Sequence, residues 1–201
     1  MHKVYLFFEF LFKYYYHLVL DISGELANES ENISSNFEFK ILTLKDLYYF
    51  KQWEDKIRYS ELYETRLKNS DYYCFAVIDI STDQLAHYSW VNYTDHYFIK
   101  EINKYFDLKQ NKQVLFEDDN TKEVYRGQKI HTFVMSKRIG FAKKIGATKI
   151  FIEIYPRNKV ALKTAQKFGF KRRNINPFYL REGSVSYIKN KMINNVFSRN
   201  Q

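Results

Sequence analysis

Residues that cross-link or interrupt a chain are scarce in this sequence. Its 201 residues include one cysteine and two prolines. Because Cys74 has no partner, an intrachain disulfide is excluded, and its apolar neighbours predict a buried, catalytically inert thiol in a cytoplasmic protein. The sequence also contains no metal-ligand cluster, no Walker loop and no recognisable nucleophilic Cys/His or Ser/His/Asp set.

Long hydrophobic runs are absent as well. Residues 1–20 are aromatic and apolar but are interrupted by Lys3, Glu9, Lys13 and His17. A bilayer span needs about 20 mostly apolar residues, and a signal peptide needs an unbroken apolar core and a small-residue cleavage site. The sequence therefore predicts no transmembrane segment here but a packed helix or strand. An oligomer contact and peripheral membrane binding stay open.

Acidic residues are few in the second part of the chain. Residues 120–201 hold 19 Lys and Arg against 3 Asp and Glu, whereas residues 1–119 hold 13 against 20, so the two parts carry formal charges of +16 and −7. Such asymmetry predicts a polyanionic partner, which can be cofactor phosphates, a nucleotide-linked substrate, nucleic acid or an anionic membrane, with a solvated surface as the alternative. Nucleic acid is disfavoured because no known binding motif is present and the basic residues are spread over several elements.

The length suits one compact domain. A polar stretch from Ser23 to Asn36 predicts a loop, which divides the chain into an N-terminal aromatic element with its loop (1–35) and a main domain (36–201). Leu44–Leu67 has helical spacing, and residues 94–111 predict an insertion over a site. Apolar runs and alternation predict strands at Phe37–Leu42, Tyr72–Ile80, Leu85–Tyr93, Gln113–Thr121, Lys149–Tyr155, Phe170–Asn174 and Val185–Lys189.

Two helices carry clear start and stop signals. Apolar residues recur from Ile130 to Ile145, and Gly146 follows where a C-terminal cap belongs. Asn158 can cap a later helix through its side-chain oxygen, and Gly169 can end it. The order along this part of the chain is loop, helix, strand, helix.

The loop before the first of these helices reads Tyr-Arg-Gly-Gln-Lys-Ile-His over residues 125–131. Glycine lets the backbone approach a ligand, and the first N–H groups of a helix have no partner within the helix. This pattern predicts a cradle for the phosphates of a cofactor.

The order and spacing of these signals resemble the GNAT (general N-acetyltransferase) superfamily over roughly residues 36–190, most strongly over 121–171. The family's acyl-coenzyme A loop reads Arg/Gln-x-x-Gly-x-Gly/Ala. Its first three positions are matched by Arg126, Gly127 and Gln128, and its later segment by Asn158, Ala161 and Gly169-Phe170.

This resemblance implies an α/β (α+β) fold with a mixed, mostly antiparallel twisted sheet flanked by helices. It also implies that acetyl-CoA or another acyl-CoA is the cosubstrate, with pantetheine in a gap where the strand before the loop splays from its neighbour. Cofactor contacts are expected from Thr121, Lys122, Arg126, Gly127, Gln128, Lys129, Ile130, His131 and Asn158.

Three positions depart from the family pattern. Lys129 stands where the second glycine is expected, and either its backbone does the glycine's work or its side chain obstructs the loop. His131 stands for the small residue, and it can either donate to a phosphate or merely replace that residue. Ala165 stands where many members carry a tyrosine thought to protonate the leaving thiolate.

Acyl transfer to an amine needs a base, because an ammonium has no lone pair. We rank Asp119 first, Glu117 second and His87 third. Period-two alternation along the strand puts Glu117, Asp119 and Thr121 on one face. The alternatives are solvated turn carboxylates and a packing histidine.

The implied reaction is N-acyl transfer to a small amine-bearing substrate by direct attack, with an amino sugar or nucleotide-linked amino sugar as the expected acceptor. It needs no metal and no covalent enzyme intermediate. A catalytically inactive binding or assembly module is the main alternative, followed by a nucleic-acid-binding protein. A homo-oligomer is left open.

Overall fold

A computed structural model describes residues 12–14, 16–24, 32–51, 53, 57–99, 104–172 and 178–180. The strands are β1 (Phe12–Tyr14), β2 (Tyr16–Asp21), β3 (Phe37–Leu42), β4 (Tyr72–Asp79), β5 (Gln84–Asn92), β6 (Tyr97–Ile99), β7 (Lys104–Phe106), β8 (Gln113–Thr121), β9 (Lys149–Ile154), β10 (Lys171–Arg172) and β11 (Phe178–Leu180). The α-helices are α1 (Tyr48–Lys51), α2 (Ile57–Lys68), α3 (Ile130–Lys144) and α4 (Lys159–Lys167).

Seven strands form one sheet in the order β10-β2-β9-β8-β5-β4-β3. Among the described strand pairs of this sheet, β8 and β9 run parallel and the other neighbours are antiparallel. The predicted mixed, mostly antiparallel sheet flanked by helices is confirmed. Two short ladders, β1 with β11 and β6 with β7, accompany it, and the second lies in the predicted insertion.

Each face of the sheet covers a separate core. Along β4, Phe75 and Val77 enter the cluster that packs with α3 and α4, whereas Cys74, Ala76 and Ile78 enter the opposite cluster. Such alternation follows from the pleat of a strand buried on both sides. The opposite cluster is rich in aromatic rings from α1, α2 and β5, including Phe50, Tyr63, Tyr88 and Trp90.

The two predicted helices are present. Gly146 follows α3 with φ +81, a conformation that glycine adopts without strain. The Asn158 side chain accepts a hydrogen bond of 3.1 Å from the Ala161 N–H and so caps α4, and Gly169 follows its end with φ +84.

The segment predicted as one helix over Leu44–Leu67 is not a single helix. A 3-10 turn at Leu44–Asp46, closed by hydrogen bonds from Thr43 to Asp46, precedes α1, and α2 is a separate helix. The Asp46 carboxylate accepts both bonds, from the Thr43 N–H and from the Thr43 hydroxyl. These bonds close a local turn instead of continuing an α-helix.

Strand β2 was not foreseen as part of the main sheet. It lies between β9 and β10 and pairs with β9 over Tyr16–Asp21. The sequence division at residue 35 therefore does not separate residues 16–22 from the rest of the fold. The predicted strand near Phe170–Asn174 is reduced to Lys171–Arg172, and the one at Val185–Lys189 lies outside the described residues.

Within the part of the chain that the structure describes, none of the helices combines the length and the apolar character needed to cross a bilayer.

Candidate functional site

The site lies where two neighbouring strands separate. Strand β8 pairs with β9 from Gln113 to Phe116, opposite Lys149 to Ile152. From there to Thr121, the ladder described for β8 is with β5 alone. Beyond Phe116, the edge of β8 on the β9 side therefore has no partner strand among the described residues. Its backbone N–H and C=O groups border a gap between β8 and β9.

A bulge turns the side chains of β8 at this point. Trp90 pairs with Glu117 and Tyr88 with Asn120, so β8 uses one residue more than β5, and Asp118 has φ +47. The predicted common face for Glu117 and Asp119 is wrong because this extra residue interrupts the alternation.

The two carboxylates consequently reach opposite sides of the sheet. Glu117 receives a hydrogen bond of 2.6 Å from the Tyr97 hydroxyl and lies 3.3 Å from Arg66 Nη2. Asp119 receives a hydrogen bond of 2.6 Å from Nη1 of Arg138, a residue of α3.

The loop that leads into α3 contains two residues in the left-handed backbone conformation. Gly127 has φ +82 and Lys129 has φ +60, so lysine adopts the left-handed backbone conformation that usually belongs to glycine. The first turn of α3 receives no capping hydrogen bond from the side chain of its N-cap residue, Lys129. Its N–H groups are therefore available to an anion at the positive end of the helix dipole.

A cavity of about 730 Å³ joins this loop to the open edge of β8 and the first turns of α4. Its walls contain Asp119, Asn120, Thr121, Tyr125, Arg126, Gly127, Lys129, Ile130, His131, Thr132, Asn158, Val160, Ala161 and Thr164. Two of the expected cofactor residues, Lys122 and Gln128, are not among them. The Lys122 ammonium instead donates to Gln84 Oε1 at 3.2 Å and lies over the Trp53 ring.

Of the three candidate bases, only Asp119 lines the cavity. Burial raises the pKa of its carboxyl group, but the charge and the hydrogen bond of Arg138 outweigh burial and hold that pKa below its ordinary value. Burial also lowers the pKa of Arg138, yet a guanidinium begins from so high a value that it stays charged. Asp119 is therefore the ionised partner of a fully buried guanidinium, with its own side chain 20% exposed.

The other two candidates do not line this cavity, and the His87 side chain is fully buried whereas that of Glu117 is 11% exposed. Burial lowers the pKa of His87 to about 3, so its fully buried ring is neutral, and Nδ1 shares a hydrogen bond of 2.8 Å with the Thr121 hydroxyl. Burial raises the pKa of Glu117 against the opposing effects of Arg66 and Tyr97.

Four side chains form what we call the imidazole–carboxylate cluster: His87, Asp119, His131 and Arg138. Nε2 of each histidine lies 3.8 Å from Asp119 Oδ1, and the two imidazole centroids are 6.1 Å apart. In the described parts of the chain, no group of three or more His, Cys, Asp and Glu side chains is arranged to hold a metal ion.

Arg138 was missed by the sequence prediction. A signal was available, since Arg138 stands four residues after Val134 and four before Ala142, on the apolar stripe of α3. A charge on a buried stripe requires a buried partner.

Solved acetyltransferases share this architecture. A tandem GNAT protein from the clavulanic acid biosynthesis pathway gives a TM-score of 0.62 at 12% identity over 84% of this chain and 52% of that chain. The aminoglycoside acetyltransferase meta-AAC0020, from an uncultured soil metagenomic sample and in complex with trehalose, gives 0.56 at 15% identity over 75% and 100%. AAC(6')-Iy, in complex with the bisubstrate analog CoA-S-monomethyl-acetylneamine, gives 0.52 at 14% identity over 74% and 99%.

These similarities show that the chain has the GNAT fold. The chain spans about half the length of the tandem protein. No protein-family model matches the sequence, and no curated protein matches it.

Proposed function

We propose that this protein is an acyl-CoA-dependent N-acyltransferase that binds its cosubstrate in the cavity between β8, α3 and α4. The observation that carries the proposal is the junction of an open strand edge with an uncapped helix start. The first can pair with the amides of a pantetheine arm, and the second can hold a pyrophosphate. The left-handed backbone of Lys129 supports the fit, because it keeps the loop in the form that a glycine would give.

The charges of the cavity suit the same ligand. Arg126 and Lys129 line it, and Asn158 lies at the start of α4 on its opposite wall. Thr121 and residues 126–131 would contact pantetheine and pyrophosphate, mainly through backbone N–H groups. Lys122 and Gln128 do not line the cavity, and they would interact with the cosubstrate from outside the cavity wall.

In the reaction, the acceptor nitrogen attacks the thioester carbonyl, an N–C bond forms and the C–S bond breaks. The amine loses a proton and the thiolate gains one. Positioning in the gap and a backbone N–H aimed at the carbonyl oxygen would supply most of the acceleration.

For the base, we now favour Glu117 over Asp119 and His87. A raised pKa makes a carboxylate a stronger base, and Glu117 has one, at the bulge of the strand that borders the gap. Asp119, bonded to Arg138 at 2.6 Å, has a lowered pKa and is the weaker base, whereas Arg66, 3.3 Å from Glu117, leaves the pKa of Glu117 raised. The full burial of His87 keeps it from a substrate. Tyr97, on the insertion, would orient Glu117 through its hydrogen bond.

An amino sugar or a nucleotide-linked amino sugar is the acceptor class we propose. One of the similar structures is named as an aminoglycoside acetyltransferase, and a second carries the bisubstrate analog CoA-S-monomethyl-acetylneamine. A third is named as a glucosamine N-acetyltransferase region of a fungal enzyme, at TM-score 0.55 and 12% identity. The basic residues near the cavity would also suit the phosphates of a nucleotide-linked acceptor.

An inactive binding module is the second candidate. It is favoured by Ala165, which is fully buried and is absent from the cavity wall, and by the pairing of Asp119 with Arg138. A cytoplasmic location stays a prediction from the sequence, a homo-oligomer stays open, and nucleic-acid binding stays the less favoured alternative.

The deciding experiment is thiol release from acetyl-CoA in the presence of amino sugars, nucleotide-linked amino sugars and aminoglycosides, with product masses recorded. The proposal predicts an acetylated amine with one acceptor class, and Glu117→Gln should lower kcat at least about 100-fold. CoA binding without transfer to any amine would favour the inactive module, and absence of CoA binding would reject the enzyme and leave a module that does not use the cofactor.

A further inference from the structure

One imidazole of the cluster is open to the cavity. The His131 side chain is 21% exposed and forms part of the cavity wall, whereas His87 behind it is fully buried. His131 follows directly after the first residue of α3, beside the loop that would hold a cofactor pyrophosphate.

A fixed negative charge stands next to His131. Asp119 Oδ1 lies 3.8 Å from its Nε2 and is bonded at 2.6 Å to Arg138, whose side chain is fully buried. A buried guanidinium cannot turn to solvent, so the carboxylate stays in place. The same imidazole is thus in contact with a cavity that suits an anion and close to an internal carboxylate.

The charged and titratable groups around His131 come from several elements. Strand β8 supplies Asp119, β5 supplies neutral His87, and α3 supplies Arg138. The loop contributes Arg126 and Lys129 to the same cavity, and the α4 residues of the wall carry no ionisable side chain.

In the ligand-free protein this environment keeps His131 neutral near pH 7. Burial lowers its pKa most, Arg138 lowers it further and Asp119 opposes both. A pyrophosphate in the cavity would add negative charge beside the ring, and nearby anions favour the charged form of an imidazole.

We propose that acyl-CoA binds to this cavity together with a proton, and that His131 takes up the proton between the pyrophosphate and Asp119. This inference rests on the proposed function, because it assumes that the cavity is the cofactor site. His131 would then be an ionisable cofactor ligand where the GNAT loop pattern has a small residue.

The proton count can be measured without an acceptor substrate. We would titrate the full chain with dephospho-CoA by calorimetry at several pH values between 5.5 and 8, each in two buffers of different ionisation enthalpy. Dephospho-CoA is the better probe because it lacks the 3'-phosphate, whose second pKa near 6 would itself titrate. The difference in heat between the buffers gives the number of protons taken up.

We expect uptake of up to one proton, greatest between the pKa values of free and bound His131. For each unit by which binding raises the pKa of His131, the affinity at the acid end of the pH range should be about tenfold higher than at the alkaline end. His131→Asn should take up no proton and lose the pH dependence. Lys129→Gln is the matched control in the same loop, and it should bind more weakly with wild-type proton uptake.

Wild-type binding without proton uptake would overturn this inference and leave the proposed function intact. Uptake that persists in His131→Asn would also overturn it. Absence of binding at millimolar dephospho-CoA and CoA would reject both. A second measurement uses the wild type alone and so does not depend on whether the variant folds. In NMR spectra, the His131 ring signal should titrate at higher pH with the ligand than without it.

Discussion

At the scale of single residues, the unusual feature is a set of polar side chains buried under α3. His87 is fully buried with its Nδ1 satisfied by Thr121, and Arg138 is fully buried against Asp119. Buried polar groups cost free energy unless they are paired, so this cluster makes stability depend on pH and on the integrity of each pair.

His87 should make the protein sensitive to acid. Its pKa is about 3 in the folded chain but near 6.5 when unfolded, so the unfolded state binds the extra proton and stability falls as pH drops through this window. At pH 4.5 the loss should be about 3 kcal/mol.

His87→Gln can keep the bond to Thr121 but does not titrate. Its free energy of unfolding, measured in urea from pH 7 to pH 4, should fall less steeply than that of the wild type. Parallel curves would show that His87 is not buried in the neutral form.

Removing the charge of Asp119 should lower the free energy of unfolding. Asp119→Asn leaves the Arg138 guanidinium without its carboxylate, and Nε and Nη2 of Arg138 already lack hydrogen-bond partners within the described residues. An uncompensated buried charge costs about 3–5 kcal/mol. In urea unfolding, the double variant Asp119→Asn, Arg138→Met should recover most of that loss. If the double variant were as unstable as Asp119→Asn alone, the ion-pair explanation would be refuted.

At the scale of elements, the loop 126–131 and the bulge of β8 determine the site. The helices α3 and α4 could be predicted because their signals are local, such as the cap at Asn158 and the glycine after each end. The bulge could not be predicted, because Asp118 adopts φ +47 only when β8 is paired with β5. That single residue decides which carboxylate faces the cavity.

Lys129 should carry measurable backbone strain. A left-handed conformation costs a non-glycine residue about 1–2 kcal/mol. Lys129→Ala keeps φ +60 but removes the charge, whereas Lys129→Gly removes both the charge and the strain. The glycine variant should therefore be more stable than the alanine variant by about 1 kcal/mol in thermal unfolding. Equal stabilities would mean that residue 129 does not adopt this conformation in solution.

At the scale of the whole molecule, the sheet draws strands from distant parts of the chain. The sequence indicated a mixed sheet from its order of elements, but it set residues 1–35 apart because a polar loop follows them. No local sequence signal in Tyr16–Asp21 predicts that this strand pairs with β9, which is more than a hundred residues away. Long-range pairing of this kind is where prediction from a single sequence fails.

A fragment of residues 36–201 should not fold cooperatively. It lacks Leu18, Leu20 and Ile22, which belong to the core beneath α3, and it exposes the edge of β9. Far-UV circular dichroism during urea titration would show a broad, non-cooperative loss of signal. A sharp transition close to that of the full chain would mean that β2 is dispensable.

Hydrogen exchange with and without CoA tests the central claim most directly, because it locates a ligand on the backbone. If the cavity is the cofactor site, CoA should slow exchange of the amides in residues 119–132 and 158–164, with the largest effect over Gly127–His131. Protection confined to other segments, or none at saturating CoA, would contradict the account.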